Sequence, residues 1–148
     1  MNKRITGVLV VLVLMAIVFM LNRKEVSLLR QDNAEIQPLS ASGLELKSVM
    51  HFYNPNFLSV TINRIHELFY IKGVQVGELD VIINQGIAGR KESEFPVSIR
   101  FGREDYNRAL AGDSVTKNVP LTIEGEVTTQ NFTSEKKIPI HQSISWKQ

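Results

Sequence analysis

Leu44–Leu79 reads LELKSVMHFYNPNFLSVTINRIHELFYIKGVQVGEL, and its apolar side chains recur mainly at every second position. At its start, Leu46, Met50 and Phe52 share one face of an extended chain, and the polar His51 lies on the other. This alternation is typical of a β-strand with one buried face, whereas the apolar residues of an amphipathic helix recur every three to four positions. The segment therefore predicts a series of short antiparallel strands.

Asn54-Pro55-Asn56 interrupts the alternation between two of these strands. The proline ring fixes φ near −65°, as the second position of a tight turn requires, and asparagine tolerates left-handed geometry while bonding nearby backbone groups. A β-turn accounts for all three residues. We therefore assign them a structural role and not a ligand.

Two other local features are predicted within the same stretch. The alternation shifts by one residue near Asn63 and Arg64, which indicates a β-bulge. Tyr70–Val76 reads as a hairpin in which Gly73 supplies the positive φ of the turn.

The rest of the chain continues the β pattern with one exception. Glu35–Leu39 is expected to form a first edge strand, and Pro139, which lacks an amide donor, favours an edge position for the last strand. Arg103–Ala111 carries good helix formers and stops before Gly112, which predicts a short helix. We therefore predict an all-β fold, an antiparallel sandwich of the immunoglobulin or fibronectin type III kind, with about seven or eight strands and one short helix. Further alternating runs lie at residues 79–83, 95–101, 119–127 and 138–146.

The order of these parts resembles the type-2 late embryogenesis abundant (LEA) proteins, also described as the water stress and hypersensitive response (WHy) domain. The resemblance covers about residues 36–146; Phe57 departs from it, because a small residue or proline is common at that position. It implies a folded, non-enzymatic domain linked to desiccation and related stress. The positions that match the family motif are Asn54, Pro55, Asn56, Gly73 and Gly77.

Residues 5–21 read ITGVLVVLVLMAIVFML, without charge or proline. As a helix, this run is about 25 Å long, near the short end of what spans a bilayer. A cleaved signal peptide is the alternative, but bulky and charged residues stand where a small-x-small cleavage site is needed. We therefore expect an uncleaved transmembrane anchor over residues 1–24, a juxtamembrane linker over 25–35 and the β domain over 36–148.

The basic character of the chain belongs to the flanks of that apolar run. The first 30 residues carry a net charge of +4, and the remaining residues carry −2. The β domain thus lacks the clustered positive field that nucleic-acid binding requires. Basic residues on both sides leave the positive-inside rule undecided, and the very short N-terminal tail favours a domain outside the cytoplasm, periplasmic or extracytoplasmic in a bacterium.

No arrangement of residues indicates catalysis, a cofactor or a metal. The chain has no cysteine, and His51, His66 and His141 lack metal-ligand spacing. We interpret His51 and His141 as solvated surface residues. The acidic pairs at 92/94 and 124/126 are interpreted as exposed strand faces, and the glycosylation-like triplet that starts at Asn131 as a turn.

The sequence therefore predicts a monomeric, single-pass membrane protein with a structural or protective role, whose partner is the lipid bilayer through residues 5–21. Two alternatives stay open at this point. One is a module that binds lipid or another hydrophobic ligand between its sheets, and the other is an adaptor for an envelope protein.

Overall fold

A computed structural model describes residues 3–40, 43–111, 118–131 and 134–147. Its seven strands form one sheet in the order β1-β2-β5-β4-β3-β6-β7, and every neighbouring pair is antiparallel. The elements are α1 (Lys3–Leu21), β1 (Ser27–Ser40), β2 (Gly43–Tyr53), β3 (Val60–Ile71), β4 (Val74–Ile87), β5 (Glu92–Gly102), α2 (Arg103–Leu110), β6 (Asn118–Gln130) and β7 (Glu135–Lys147).

The β4–β5 junction determines the overall form of the sheet. These two strands pair only at Gly77↔Phe101 and Glu78↔Arg100, whereas the other neighbours pair along most of their length. The sheet curls at this narrow junction, so that the rings of Phe69 in β3 and Phe101 in β5 pack 5.7 Å apart. The result is a nearly closed, barrel-like sheet.

The predicted all-β class is confirmed, but the immunoglobulin-like sandwich of two separate sheets is not, since all seven strands belong to one sheet. Alternating apolar residues specify which face of each strand points inward. They do not specify which strands become neighbours at a narrow junction.

The core lies on the concave face of the curled sheet. Phe52 and Phe95 meet edge to face, with ring centroids 5.6 Å apart. Burying one such side chain stabilises the fold by ~1.5–3 kcal/mol. The largest fully buried side chains are Phe52, Phe69, Phe95, Phe101, Leu46, Met50, Ile62, Ile65, Ile71, Ile87, Ile99 and Leu121.

The predicted bulge and hairpin are both confirmed. The register of β3 shifts between Ile62 and Arg64 in its pairing with β4 and again with β6. In the hairpin, Lys72 and Gly73 have φ values of 51° and 78°. Positive φ at both central residues is the type I′ pattern, whose twist matches that of the flanking strands.

The predicted short helix is also confirmed, as α2, while Gly112 lies outside the described residues. The two edge strands are β1 and β7, as expected from Glu35–Leu39 and Pro139. However, β1 begins at Ser27 and therefore occupies most of the segment 25–35 that was assigned to a linker. An edge strand needs few apolar residues, so its polar start was not distinguishable from a linker.

The N-terminal helix α1 projects from the sheet, and its side chains from Val10 to Leu21 are exposed. Among the described residues, no helix combines the length and the hydropathy needed to cross a membrane. The predicted transmembrane helix over residues 5–21 is thus not supported by the structure.

Candidate functional site

Asn54 is fully buried at the end of β2, where its side chain joins two loops. Its Nδ2 donates to the backbone oxygens of Leu58, Ile87 and Ala88, at 2.9, 3.0 and 3.3 Å. Its Oδ1 accepts from both the backbone and the side-chain amide of Asn56, at 3.0 and 2.9 Å. The β2–β3 loop is thereby fastened to the end of β4.

Asn56 and Asn22 extend this arrangement to the chain that leaves α1. Asn56 Oδ1 accepts from the backbone N–H of Lys24 at 3.0 Å, and its Nδ2 donates to the Lys24 carbonyl at 2.8 Å. Asn22 Oδ1 accepts from the backbone N–H of Leu58 at 2.7 Å, while its Nδ2 donates to Val18 O at 2.7 Å. Both asparagines are buried, and the hydrogen bonds that they form here are partly buried.

The β6–β7 turn completes what we call the asparagine network, formed by Asn22, Asn54, Asn56 and Asn131. Asn131 Nδ2 donates to Asn22 O at 3.5 Å, and Lys136 Nζ donates to Arg23 O at 3.0 Å. Asn131 forms a turn with Ser134, as interpreted from the sequence, through two hydrogen bonds of 2.8 and 3.1 Å. The rest of its glycosylation-like triplet lies outside the described residues.

The β4–β5 turn packs against the same loop by direct backbone contact. A Cβ atom on Gly89 would lie 1.9 Å from the backbone oxygen of Phe57, so only glycine fits there. The neighbouring Arg90 N–H donates to Asn56 O at 2.9 Å, and its guanidinium lies over the Phe57 ring at 3.8 Å. Gly89 thus serves close packing of two turns.

The predicted motif residues divide between the two ends of the sheet. Asn54 and Asn56 lie at the end where α1 joins, with Pro55 between them. Gly73 lies in the β3–β4 hairpin at the opposite end. A Cβ on Gly77 would lie 2.1 Å from a Phe101 ring carbon, which explains glycine at the β4–β5 junction.

Glu67 is a buried residue that sequence reasoning missed. It lies on the inward face of β3 between Ile65 and Phe69, is 0% exposed, and has no hydrogen-bond partner for either carboxyl oxygen among the described residues. Burial raises its pKa to about 7. The signal was its position in the alternating run, two residues from an inward isoleucine and two from an inward phenylalanine.

A family comparison matches the part of the chain that holds most of this network. The LEA_2 model, described as late embryogenesis abundant protein, matches residues 50–144. The chain belongs to the LEA_2 family. Proteins of this family are generally non-enzymatic. No curated protein matches this sequence significantly.

Solved structures are similar to this fold at low sequence identity. A solution structure from Arabidopsis thaliana is 15% identical, with a TM-score of 0.70, and the match covers 84% of this chain and 81% of that one. Another, described as a late embryogenesis abundant (LEA) protein, is 14% identical with a TM-score of 0.62, covering 99% and 86%. A crystal structure from Archaeoglobus fulgidus is 13% identical with a TM-score of 0.62, covering 82% and 98%.

In this LEA_2 domain, the interpretation of His51 as a solvated residue is wrong. His51 is 6% exposed, with Nε2 3.2 Å from Asp32 Oδ2 and Nδ1 3.0 Å from Glu92 Oε1. Glu94 lies 3.6 Å from Nδ1, and Arg30 Nη2 lies 3.1 Å from it. Long side chains of β1 and β5 therefore cover a histidine that the alternation places on the outer face.

His66, Glu78 and Asp80 of the LEA_2 domain also come together, with ligand atoms within 4.8 Å of one another. However, the Arg64 guanidinium donates two hydrogen bonds, of 2.6 and 2.5 Å, to the Asp80 carboxylate. This contact lowers the pKa of the Asp80 carboxyl. The arrangement is a surface ion-pair cluster, and we assign it no ion. His141, by contrast, is exposed as interpreted.

The divergence of β4 from β5 leaves a cleft of about 260 Å³. Leu79, Val81 and Ile83 line it from β4, and Phe95 and Val97 line it from β5. The cleft lies where β4 and β5 of the LEA_2 domain no longer pair with each other.

Proposed function

We propose that this LEA_2 protein is a non-enzymatic water-stress module, a water stress and hypersensitive response domain, held at a membrane surface by α1. The observation that carries the proposal is the asparagine network. Asn22, directly after α1, accepts from the backbone N–H of Leu58, and Asn56 of the β2–β3 loop bonds the backbone of Lys24. These bonds fix the end of α1 to the sheet, so that no flexible linker separates the two.

The surface of α1 supports the anchoring part of this proposal. Its side chains from Val10 to Leu21 are apolar and exposed, with Met15 at 64% and Met20 at 71%. A helix that is apolar on all sides needs apolar surroundings, in a protein core or in lipid. Basic residues at both ends, Lys3 and Arg4 in its first turn and Arg23 and Lys24 after it, suit headgroup regions.

The packed sheet supports a protective role exerted by a stable surface. A chain with this many buried aromatic and aliphatic side chains folds before drying, unlike a disordered protectant. Any protection would therefore arise from a rigid domain held close to the lipid.

Two measurements on the full chain test this function. Alkaline carbonate extraction of expressing cells should leave the protein in the membrane fraction, and its release would contradict anchoring. Vesicles carrying the protein should then leak less trapped dye after drying and rehydration than vesicles carrying Asn56→Ala, in which the helix exit is loosened. Leakage equal to that of protein-free vesicles would exclude the protective role and leave anchoring intact.

The β4–β5 cleft favours a second candidate, binding of a hydrophobic ligand such as a lipid acyl chain. Its lining is mainly aliphatic and aromatic, and it opens beside the core. Native mass spectrometry of the purified full chain should show co-purified lipid that Val97→Trp, which fills the cleft, removes. Lipid retained equally by both would place it on α1 instead.

A further inference from the structure

The end of the sheet where α1 joins carries two exposed apolar side chains. Phe57 is 51% exposed and Leu58 is 43% exposed, in the loop between β2 and β3. The backbone N–H of Leu58 donates to Asn22, the residue directly after α1. These apolar side chains therefore lie next to the end of an apolar helix.

Four cationic residues surround the same point. Arg23 and Lys24 come after Asn22, while Arg90 and Lys91 come from the β4–β5 turn, and all four are exposed. The two segments meet through Asn56, which bonds the backbone of Lys24 and of Arg90. The helix-exit surface consists of Arg23, Lys24, Arg90, Lys91, Phe57 and Leu58.

Acidic residues close to this surface already have cationic partners. Glu25 pairs with Lys136 at 3.7 Å, and Glu92 with Arg30 at 3.3 Å. Within the described part of the chain, none of the four cations of the helix-exit surface forms an ion pair. Their positive charge is thus directed outward.

Cation–π contacts order the arginines. The Arg90 guanidinium lies 3.8 Å from the Phe57 ring centroid, and that of Arg23 lies 4.8 Å from Phe19. An arginine on an aromatic ring loses less side-chain freedom when it binds a phosphate, because its position is already restricted.

We propose that the helix-exit surface binds the headgroups of anionic phospholipids around α1. This inference rests on the proposed anchoring, since an inserted α1 places Asn22 at the bilayer interface. Exposed cations next to phosphate are favourable, and Phe57 and Leu58 can enter the headgroup region. The favoured partner is a bilayer and not a soluble polyanion, because the surface is continuous with the apolar helix.

The test uses the absence of cysteine from the chain. Ser59→Cys, on an exposed position beside Leu58, gives a unique site for a fluorophore in the full-length protein. The protein is reconstituted in mixed phosphatidylcholine and phosphatidylglycerol vesicles, with a nitroxide quencher carried in turn by either lipid. The ratio of the two quenching efficiencies, corrected for lipid content, reports the local enrichment of the anionic lipid.

We expect several-fold enrichment of phosphatidylglycerol near position 59, which falls toward one with Arg90→Gln/Lys91→Gln and in 1 M salt. Both turn residues keep their backbone bonds to Asn56 and Asn54 in that variant. The matched control, Arg100→Gln/Arg108→Gln, removes two positive charges toward the opposite end and should retain the enrichment.

A ratio near one for the wild type, or equal ratios for both double variants, would overturn the headgroup proposal while the protein still floats with vesicles. Failure of the protein to float with these vesicles would instead refute anchoring, and both proposals with it. The two failures are therefore distinguishable in one preparation.

Discussion

The side-chain amide of Asn56 and the backbone of Lys24 exchange two hydrogen bonds, of 3.0 and 2.8 Å. An asparagine side chain has the same donor and acceptor as a peptide group, so it pairs with a backbone as a neighbouring strand would. The pairing joins residues that are 32 positions apart, and it does so where the chain changes from apolar helix to β domain.

Asn56→Ala should destabilise the domain by about 2–3 kcal/mol, because backbone groups of Lys24 and Asn54 Oδ1 lose buried partners. Urea unfolding of the full chain measures this change. Asn63→Ala is the control, since Asn63 makes an exposed hydrogen bond to Gln130 and its loss should cost little. Equal stabilities of the two variants would mean that the network is not a stabilising junction.

The network shows which parts of this site a sequence can predict. Proline between two asparagines predicts a β-turn; the structure has a bend there, in which Asn54 Oδ1 accepts from the backbone N–H of Asn56. The partners of that turn, Asn22 and the Lys24 backbone, come from outside the matched motif. Local turn chemistry depends on adjacent residues, whereas these bonds depend on how α1 meets the sheet.

Gly89→Ala should destabilise strongly, by about 2 kcal/mol or more, because the new Cβ would meet the Phe57 backbone oxygen at 1.9 Å and one of the two turns must move. Gly86→Ala is the matched control, three residues earlier, where nothing lies within 4 Å of the added Cβ. It should be neutral or slightly stabilising, since glycine inside a strand costs backbone entropy. Thermal unfolding of both variants measures their stabilities. A Gly89→Ala variant as stable as the wild type would contradict the close packing of the two turns.

The strand pattern was predictable for a different reason. Period-two alternation, the bulge at Ile62–Arg64 and the Gly73 hairpin are local consequences of residue order, and all three are present. The narrow β4–β5 junction at Gly77 and Phe101 was not predictable, because it brings together two strands whose other residues diverge. His51 was misassigned because its face of β2 is covered by β1 and β5 side chains.

His51→Leu should loosen the β1 edge by about 1 kcal/mol, since Asp32, Glu92 and Glu94 lose their contacts with the imidazole and stay close together beside Arg30. Hydrogen exchange of β1 amides such as Gln31 should become faster, while amides in the centre of β3 keep their protection. His141→Leu, at an exposed histidine on the other edge strand, serves as the control. Unchanged exchange in β1 would show that the cluster does not hold this strand.

Glu67 gives the domain a predictable dependence on pH. Its pKa is raised to about 7 in the folded chain, against an unfolded value near 4.3. The folded state therefore binds more protons than the unfolded state between these values, and the free energy of unfolding must fall as pH rises from about 4.5 to above 7. The loss should approach about 4 kcal/mol once the pH is well above 7.

Glu67→Gln removes this titration and keeps the side-chain volume, so the variant should be more stable than wild type at pH 8 and lack the decline that Glu67 causes. Urea unfolding at pH 5, 6, 7 and 8 measures both curves. Glu135→Gln, at an exposed position in β7, removes the same charge and should follow the wild-type curve. Parallel curves for Glu67→Gln and wild type would show that Glu67 is solvated or paired in solution, and that its burial beside Ile65 and Phe69 is not maintained.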